Sequence, residues 1–478
     1  MSKITNPSSV ANLAKEDDEL PEGWLTCSLG DVVDYGKTDK AEPSEIAADS
    51  WILELEDIEK DTSRLIERIT FSERKSKSTK NRFQRGDVLY GKLRPYLNKV
   101  ILADQPGYCT TEIIPLRSNG ILENRYLFYW LKHPTFLDYV TAVSHGLNMP
   151  RLGTEAGKAA PFLLAPLAEQ KRIADKLDAV LGRVDGCRAR INRLPALLKR
   201  FRQSVLAAAT SGRLTAEWRM TNGVNDEWTS EFKNCTAPED SEEVPESWKW
   251  ASVSALATKV TDGVHKKPNY VDQGVPFLTV KSLTAGKGIS FEVNNFISEK
   301  DHEEFIKRTS PEKGDLLVTK DGTLGVIRLI DTDRVFSIFV SLALIKPKDR
   351  KMSRYLLYAL QSPVVQKQMV GVGSGLQHIH LCDLRADLIP LPTLPEQQEI
   401  VRRVEALFAI ADRIEARLAT AQKTVERLAP ATLAKAFRGD LVPQDPNDEP
   451  ATLLLERLRD PSSTAPAKPA RGKRAKRP

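Results

Sequence analysis

The sequence predicts an α+β protein: two mixed α/β globular domains separated by two long helices that form an antiparallel intramolecular coiled coil, arranged as a pseudo-two-fold repeat. Three observations predict it. A set of motifs recurs once, in the same order, at a nearly constant offset. Each copy changes midway from Gly- and Pro-broken, β-rich sequence to an unbroken stretch of heptads, and those heptads hold one register in both copies.

The repeat is read directly. LPEGW at 20–24 returns as VPESW at 244–248, GDVLYGKL at 86–93 as GDLLVTKD at 314–321, and GLNMPRL at 146–152 as GLQHIHL at 375–381. AEQKRIADKLDAVLGRVD at 168–185 returns as PEQQEIVRRVEALFAIAD at 395–412, and LAAATSGRL at 206–214 as LAKAFRGDL at 433–441. The offsets barely vary and are far too long for a solenoid, so the chain is one two-part module written twice.

Taken in order, residues 1–19 form an N-terminal segment and 20–165 a first globular domain with short β-rich runs such as GDVLY, KVILA and TTEIIPL. A helical spacer follows at 166–219. Its heptads place Ile173, Val180, Cys187, Leu194, Phe201 and Ala208 at a, with Leu177, Val184, Ile191, Leu198 and Val205 at d. An acidic linker spans 220–243, and 244–391 is the second globular domain, with VPFLTV, GDLLVT and FSIFVSLALI as its strands. The second spacer, 392–445, repeats the heptads with Ile400, Leu407, Ile414, Ala421, Leu428 and Lys435 at a and Val404, Ala411, Leu418, Val425 and Thr432 at d. Pro195 and Pro430 interrupt neither phase, which predicts kinked but continuous helices of about 44 residues, or about 66 Å. Antiparallel pairing is expected because it sets the two domains at opposite ends of the pair. Residues 446–478 read as a disordered basic tail.

The chain has 478 residues, 41% hydrophobic and 28% charged, which suits a globular protein of two or more domains. No apolar run reaches the roughly 18 residues of a membrane span, and the polar start lacks a signal core, so a cytoplasmic protein without membrane contact is expected. Five scattered cysteines, without a C-x-x-C pair, predict reduced thiols. The net charge of +6 is matched by the six Lys and Arg of APAKPARGKRAKRP, leaving the body formally neutral.

No phosphate-binding loop, dinucleotide fingerprint, zinc-protease helix or nucleophile elbow is present. His378 and His380 are a close pair without a third ligand, and Asp61 with Glu73-Arg74-Lys75 only loosely imitates a metal-dependent nuclease. No catalytic residue, metal site or cofactor bound by this chain is therefore expected. Binding carries the signal. Arg74, Lys75, Lys77, Lys80, Arg82, Arg85, Lys92, Arg94 and Lys99 face the single acid Asp87 and are interleaved with Phe83, Tyr90 and Tyr96, a pattern suited to a surface that tracks phosphates. The second copy is less basic, with Lys259, Lys266, Lys267, Lys281 and Lys287 against Asp262 and Asp272. Aligning Gly146 with Gly375 puts an amide two residues on in both loops, Asn148 and Gln377, able either to bond an adenine edge or to cap the loop. The candidate DNA-contacting set is Arg74, Lys75, Lys77, Lys80, Arg82, Lys92, Arg94, Tyr96, Asn98, Lys99, Asn148 and Arg151 in the first domain. In the second it is His265, Lys266, Lys267, Lys320, Thr323, Gln377 and His378.

The LPEGW and VPESW segments, the helix starts PLAEQKRIADKLD and LPEQQEIVRRVE, LLKRFRQSVL at 197–206, and the helix ends SGRLTAEWR and LAKAFRGDL resemble the DNA specificity subunit of type I restriction-modification enzymes, over nearly all of 20–445. The resemblance implies two target-recognition domains reading an asymmetric, bipartite double-stranded DNA target. It also implies two modification subunits using S-adenosylmethionine to methylate adenine, and restriction subunits using ATP and magnesium. A methyltransferase or nuclease with built-in recognition domains, and a protein-only coiled-coil scaffold, are the alternatives that the residues leave open.

Overall fold

The computed structural model describes residues 20–118, 121–146, 148–223, 231–239, 241–266, 268–292, 295–373 and 377–459. The chain divides into two compact units, one from the segments up to Ile191 and from Thr420 onward, the other from Asn192–Ala419.

In the first unit the β-rich runs form two sheets. Asp39–Ala41, Lys80–Phe83, Gly107–Thr110, Trp51–Leu53 and Ile69–Thr70 lie side by side in that order, antiparallel except where Trp51–Leu53 runs parallel to Gly107–Thr110. Val88–Gly91 pairs with Val100–Leu102 on one side and Ile113–Leu116 on the other. Helices Asn124–Trp130 and Pro134–Val143 complete the core, the second started by a proline whose missing N–H costs nothing at the first helical position. The second unit repeats the plan. Ala257–Asp262, Leu342–Pro347, Leu316–Thr319 and Ile327–Leu329 form one sheet, and Phe296–Ile297, Val275–Leu278 and Ser337–Ile338 the other, again with one parallel pair. In both copies a two-stranded ribbon closes the domain and leads into a long helix: Leu25–Ser28 with Pro161–Leu164, and Lys249–Ser252 with Leu388–Leu391.

The recurring motifs are the joints of this plan. Trp24 Nε1 donates to Glu169 Oε2 at 2.8 Å, and Trp248 Nε1 to Glu396 Oε2 at 2.9 Å, each glutamate lying in the first turn of a long helix where unpaired N–H groups favour negative charge. The next residue back-bonds the ribbon exit: Gln170 Nε2 to the Ala165 carbonyl and Gln397 Nε2 to the Pro392 carbonyl. At the far helix ends Gly212 and Gly439 take left-handed φ of 79° and 84°, the usual way to stop a helix. A side chain there would strike Pro245 in one unit and Pro21 in the other, the prolines of VPESW and LPEGW.

The long helices are Leu167–Thr210 and Leu394–Phe437, each 44 residues and unbroken through Pro195 and Pro430, as the heptads predict. In the first unit Ile173 and Leu177 pack with Leu433, Ala436 and Phe437; in the second Val205, Leu206 and Ala209 pack with Ile400 and Val404. The start of each helix meets the end of the other, so the pair is antiparallel.

Two expectations need correction. The seam is narrower than the heptads suggest. Leu177, Val184, Leu198, Val205, Val404, Ala411, Leu418 and Val425, all d positions, are buried. Val180, Ile191, Leu194 and Leu407 are half-buried, while Ile414 and Leu428, assigned to the seam, are 40% and 42% exposed. The helices are turned so that d points between them and a falls on the rim, where among the described residues no third helix covers it. Ile173 and Ile400 are buried a positions because the globular cores reach them. The second correction concerns the tail. Ala451–Arg459 is a helix whose Ala451 and Leu455 join the first unit's core, and Ala451 N donates to the Gly23 carbonyl at 2.8 Å, so folded chain runs past 446. The rest of the expected tail and residues 1–19 lie outside the described residues.

Candidate nucleic-acid interface

In the first unit, strand Val88–Gly91 delivers the chain into a tight turn, Lys92–Asn98. Arg94 and Asn98 flank its short helical turn Pro95–Leu97 with left-handed φ of 50° and 48°, a conformation that costs a non-glycine residue about 1–2 kcal/mol and holds the turn in one shape. A second loop is pinched where His145 and Arg151 exchange backbone hydrogen bonds, with Gly146 at φ 121° making the reversal. The loops are joined: Leu152 N donates to the Lys92 carbonyl at 3.0 Å, Arg94 N to the Pro150 carbonyl at 2.7 Å, and Arg94 Nη2 to the Asn148 carbonyl at 3.4 Å. Two segments singled out separately in the sequence thus make one surface, with Tyr96, Asn148, Met149 and Arg151 exposed on it.

The second unit builds the same pair of loops. Val372 and His378 exchange backbone hydrogen bonds, Gly373 has φ 126°, Ile379 N donates to the Lys320 carbonyl at 2.8 Å, and Gly322 N to the Gln377 carbonyl at 3.2 Å. This overturns the loop alignment drawn from the sequence. The glycine equivalent to Gly146 is Gly373, not Gly375, so Gln377 matches Pro150 and His378 matches Arg151. The run GVGSGL offers several closely spaced glycines, and sequence similarity alone chose the wrong one. Gly375, now the counterpart of Asn148, lies outside the described residues, as does Lys267.

Different side chains stand on this shared backbone. Arg151 reaches Glu112 at 3.2 Å, whereas His378 Nδ1 bonds Asp321. Asp262 gathers Lys320 at 3.2 Å, Arg308, and the exposed His265 at 3.4 Å. Burial raises the pKa of the Asp262 carboxyl, but Arg308 and Lys320 together outweigh it and leave it below the ordinary range. Half-exposed Arg308 escaped the sequence reading because it lies far beyond His265 with no local pattern; the structure puts its guanidinium 3.3 Å from the imidazole.

Other candidates are committed inside the fold. Lys80 is 1% exposed and donates to Glu54 at 3.1 Å; Lys320 is 3% exposed against Asp262. Arg74 is held by Glu56 and Asp57, Lys99 Nζ donates to the Leu55 carbonyl at 2.6 Å, and Asn98 is 6% exposed. A buried ion pair leaves no charge to offer a phosphate, so Lys80 and Lys320 do not belong to a contact surface as they stand. Lys75, Lys77 and Arg82 are exposed, Arg82 facing Asp39 at 3.7 Å and the Tyr108 ring. They belong to the segment around the five-stranded sheet and not to the loop pair. Lys92 is half-buried, and Lys266, Thr323 and Gln377 are exposed. Among the described residues no group of three or more His, Cys, Asp or Glu is placed to hold a metal ion.

Comparison with known proteins follows the same doubling. The type I restriction modification DNA specificity domain matches twice, at residues 21–196 and 245–421. The chain is 30% identical over 393 residues to the specificity subunit of the Escherichia coli type I restriction enzyme EcoBI, covering 79% of this chain and 80% of that protein. It is also 30% identical over 377 residues to the EcoKI specificity subunit of Escherichia coli strain K12, covering 75% and 76%. The crystal structure of the HsdS subunit from Thermoanaerobacter tengcongensis shares the fold at a TM-score of 0.55 and 21% identity, over 90% of this chain and all of that one. A chain from a structural study of type I R-M complex assembly and conformational transition shares it at 0.67 and 22%, over 88% and 99%. With both halves matched and the loop pair built twice, the chain belongs to the DNA specificity subunits of type I restriction-modification systems.

Proposed function

We propose that the two loop pairs read the two half-sites of an asymmetric, bipartite duplex target. One observation carries this: the same backbone scaffold presents Tyr96, Asn148 and Arg151 in one unit and Thr323, Gln377 and His378 in the other. Identical frames with different hydrogen-bonding groups are what two readers of different sequences require. Exposed Lys75, Lys77, Arg82, Lys266 and Arg308 supply phosphate contacts around them.

The rim of the long helices, with Leu197, Phe201, Ile410 and Ile414 exposed among arginines and glutamates, then serves as the docking face for two modification subunits. Those subunits hold S-adenosylmethionine and methylate adenine, restriction subunits use ATP and magnesium, and this chain supplies specificity without chemistry of its own. A subunit that directs work on DNA acts in the cytoplasm. No helix among the described residues is long and apolar enough to cross a membrane.

The test is an exchange of residues 25–160 for the same region of another specificity subunit, followed by mapping of methylated adenines in cells carrying the assembled system. One half-site changes and the other stays. A change in both, or in neither, rules out separate readers.

A further inference from the structure

In the first unit a cavity of about 590 Å³ lies between the long helices and helices Asn124–Trp130 and Pro134–Val143, within the size range of small-ligand sites. Asp61, Ser63, Asn98, Lys132, Asp138 and Glu426 are among the residues that line it. Asn98 ends the Lys92–Asn98 turn of the loop pair, but its side chain, a candidate DNA contact from the sequence, is turned inward to the cavity.

Two features mark this cavity as built to hold something. Asn98 is 6% exposed, yet its Oδ1 accepts no hydrogen bond, and the buried Ser63 Oγ is likewise unpartnered. Buried acceptors are rarely left so. The charge is also unbalanced. Asp178 is taken by Arg125 and Asp185 by Arg188, while Asp61, Asp138 and Glu426 make no ion pair among the described residues. The cations among the lining residues are Arg188, paired with Asp185, and Lys132, whose ammonium stands 5.0 Å from the Phe128 ring centre. Unsatisfied oxygens and surplus negative charge call for a donor carrying positive charge.

The second copy of the module shows what fits. Asp412 and Glu415 are the repeat equivalents of Asp185 and Arg188, and there Lys287 Nζ bridges both carboxylates at 2.5 and 2.8 Å. Lys287 falls at the repeat position of Asp61, where the first unit has a carboxylate instead. The second unit fills this place with cations of its own, Lys287 and also Arg202, which reaches Asp412 at 2.7 Å and Glu415 at 2.6 Å; in the first unit Arg188 takes the place of one carboxylate and pairs with Asp185 at 3.0 Å, while the acid Asp61 stands where the ammonium would be.

We propose that the cavity binds an organic cation, a primary ammonium or guanidinium on a flexible chain, received by the acids Asp61, Asp138 and Glu426 and by the unpartnered Asn98 Oδ1. Such a group comes from a free polyamine or from the Lys and Arg side chains of residues 460–478 of this chain.

Titration calorimetry of the full chain with spermidine tests this. The expected result is one saturable site, weakened about tenfold by Asp61→Asn or Glu426→Gln. Lys132→Met, which removes the opposing charge, tightens binding severalfold, a direction that mere structural damage does not produce. Asp49→Asn, an exposed acid elsewhere, leaves it unchanged. Repeating the titration on a chain ending at Arg459, with a peptide of residues 464–478 as competitor, identifies the source. Tighter spermidine binding after truncation together with displacement by the peptide assigns the cation to the chain's own end; no change on truncation assigns it to a free polyamine. Absence of saturable binding in both chains, or binding indifferent to Asp61→Asn and Lys132→Met in variants that melt like the native protein, overturns the proposal.

Discussion

Asp387 shows how far one residue departs from what its letter suggests. It precedes strand Leu388–Leu391, is 5% exposed, and leaves Oδ2 without a partner. Burial, reinforced by nearby Asp383, pushes its pKa up to about 7, against an ordinary value of about 4 in the unfolded chain. The native state therefore keeps a proton that the unfolded chain releases, so this group costs stability progressively from about pH 4 to about pH 7 and by a constant amount above. Asp387→Asn removes that cost. Its melting temperature gains little over the native protein at pH 4.5 and several degrees at pH 8, and calorimetry at the two pH values checks it; an equal gain at both would mean that ionisation is not the cause. Lys80 and Lys320 carry the complementary lesson. By their letters, Lys80 in a basic run and Lys320 beside a loop, they look like phosphate contacts, yet each neutralises a carboxylate, Glu54 or Asp262, that lies far back in the sequence. Charge can be counted in a sequence, but which partner has already claimed it depends on tertiary pairing.

At the scale of elements, the long helices were almost wholly legible, because an apolar spacing of 3.5 residues is a local property and survives two prolines. The sheets were legible as runs but not as pairings. Nothing in VPFLTV says that it lies parallel to Ser337–Ile338, since register arises from contacts distant in sequence. The loop pair was half legible, with the right segments chosen but Gly375 taken for Gly373. The helix rim gives a contrast open to measurement. Leu418 is 7% exposed and Ile414, one turn away on the same helix, 40%. Leu418→Ala leaves a buried gap and lowers unfolding free energy by about 2–4 kcal/mol. Ile414→Ala lowers it by less than about 1 kcal/mol but weakens association with the modification subunits, as judged by denaturant melts beside co-purification. Equal destabilisation by both would place Ile414 inside the seam after all.

At the scale of the whole molecule, the repeat has a circular character. Each unit is entered through a W-bearing segment that ties the start of one long helix to the end of the other: LPEGW joins Glu169 and Gly439, VPESW joins Glu396 and Gly212. The connection from Gly212 to Pro245 in mid-chain therefore corresponds to the one that would run from Gly439 through the chain ends to Pro21. On that side Arg172 holds Asp448 at 2.6 Å and Ala451 N meets the Gly23 carbonyl, so both ends of the described chain belong to the first unit. Among the described residues neither connection carries a strand of either sheet. Fusing residue 459 through a short Gly-Ser linker to residue 20, and opening the chain between Gly223 and Glu231, leaves every joint in place while reversing the order of the two domains. The permuted chain is expected to melt within a few degrees of the native one and, in the assembled system, to direct methylation to the same two half-sites. A permutant that folds but reads only one of them would show that chain order, and not the joints, sets the reading frame of the target.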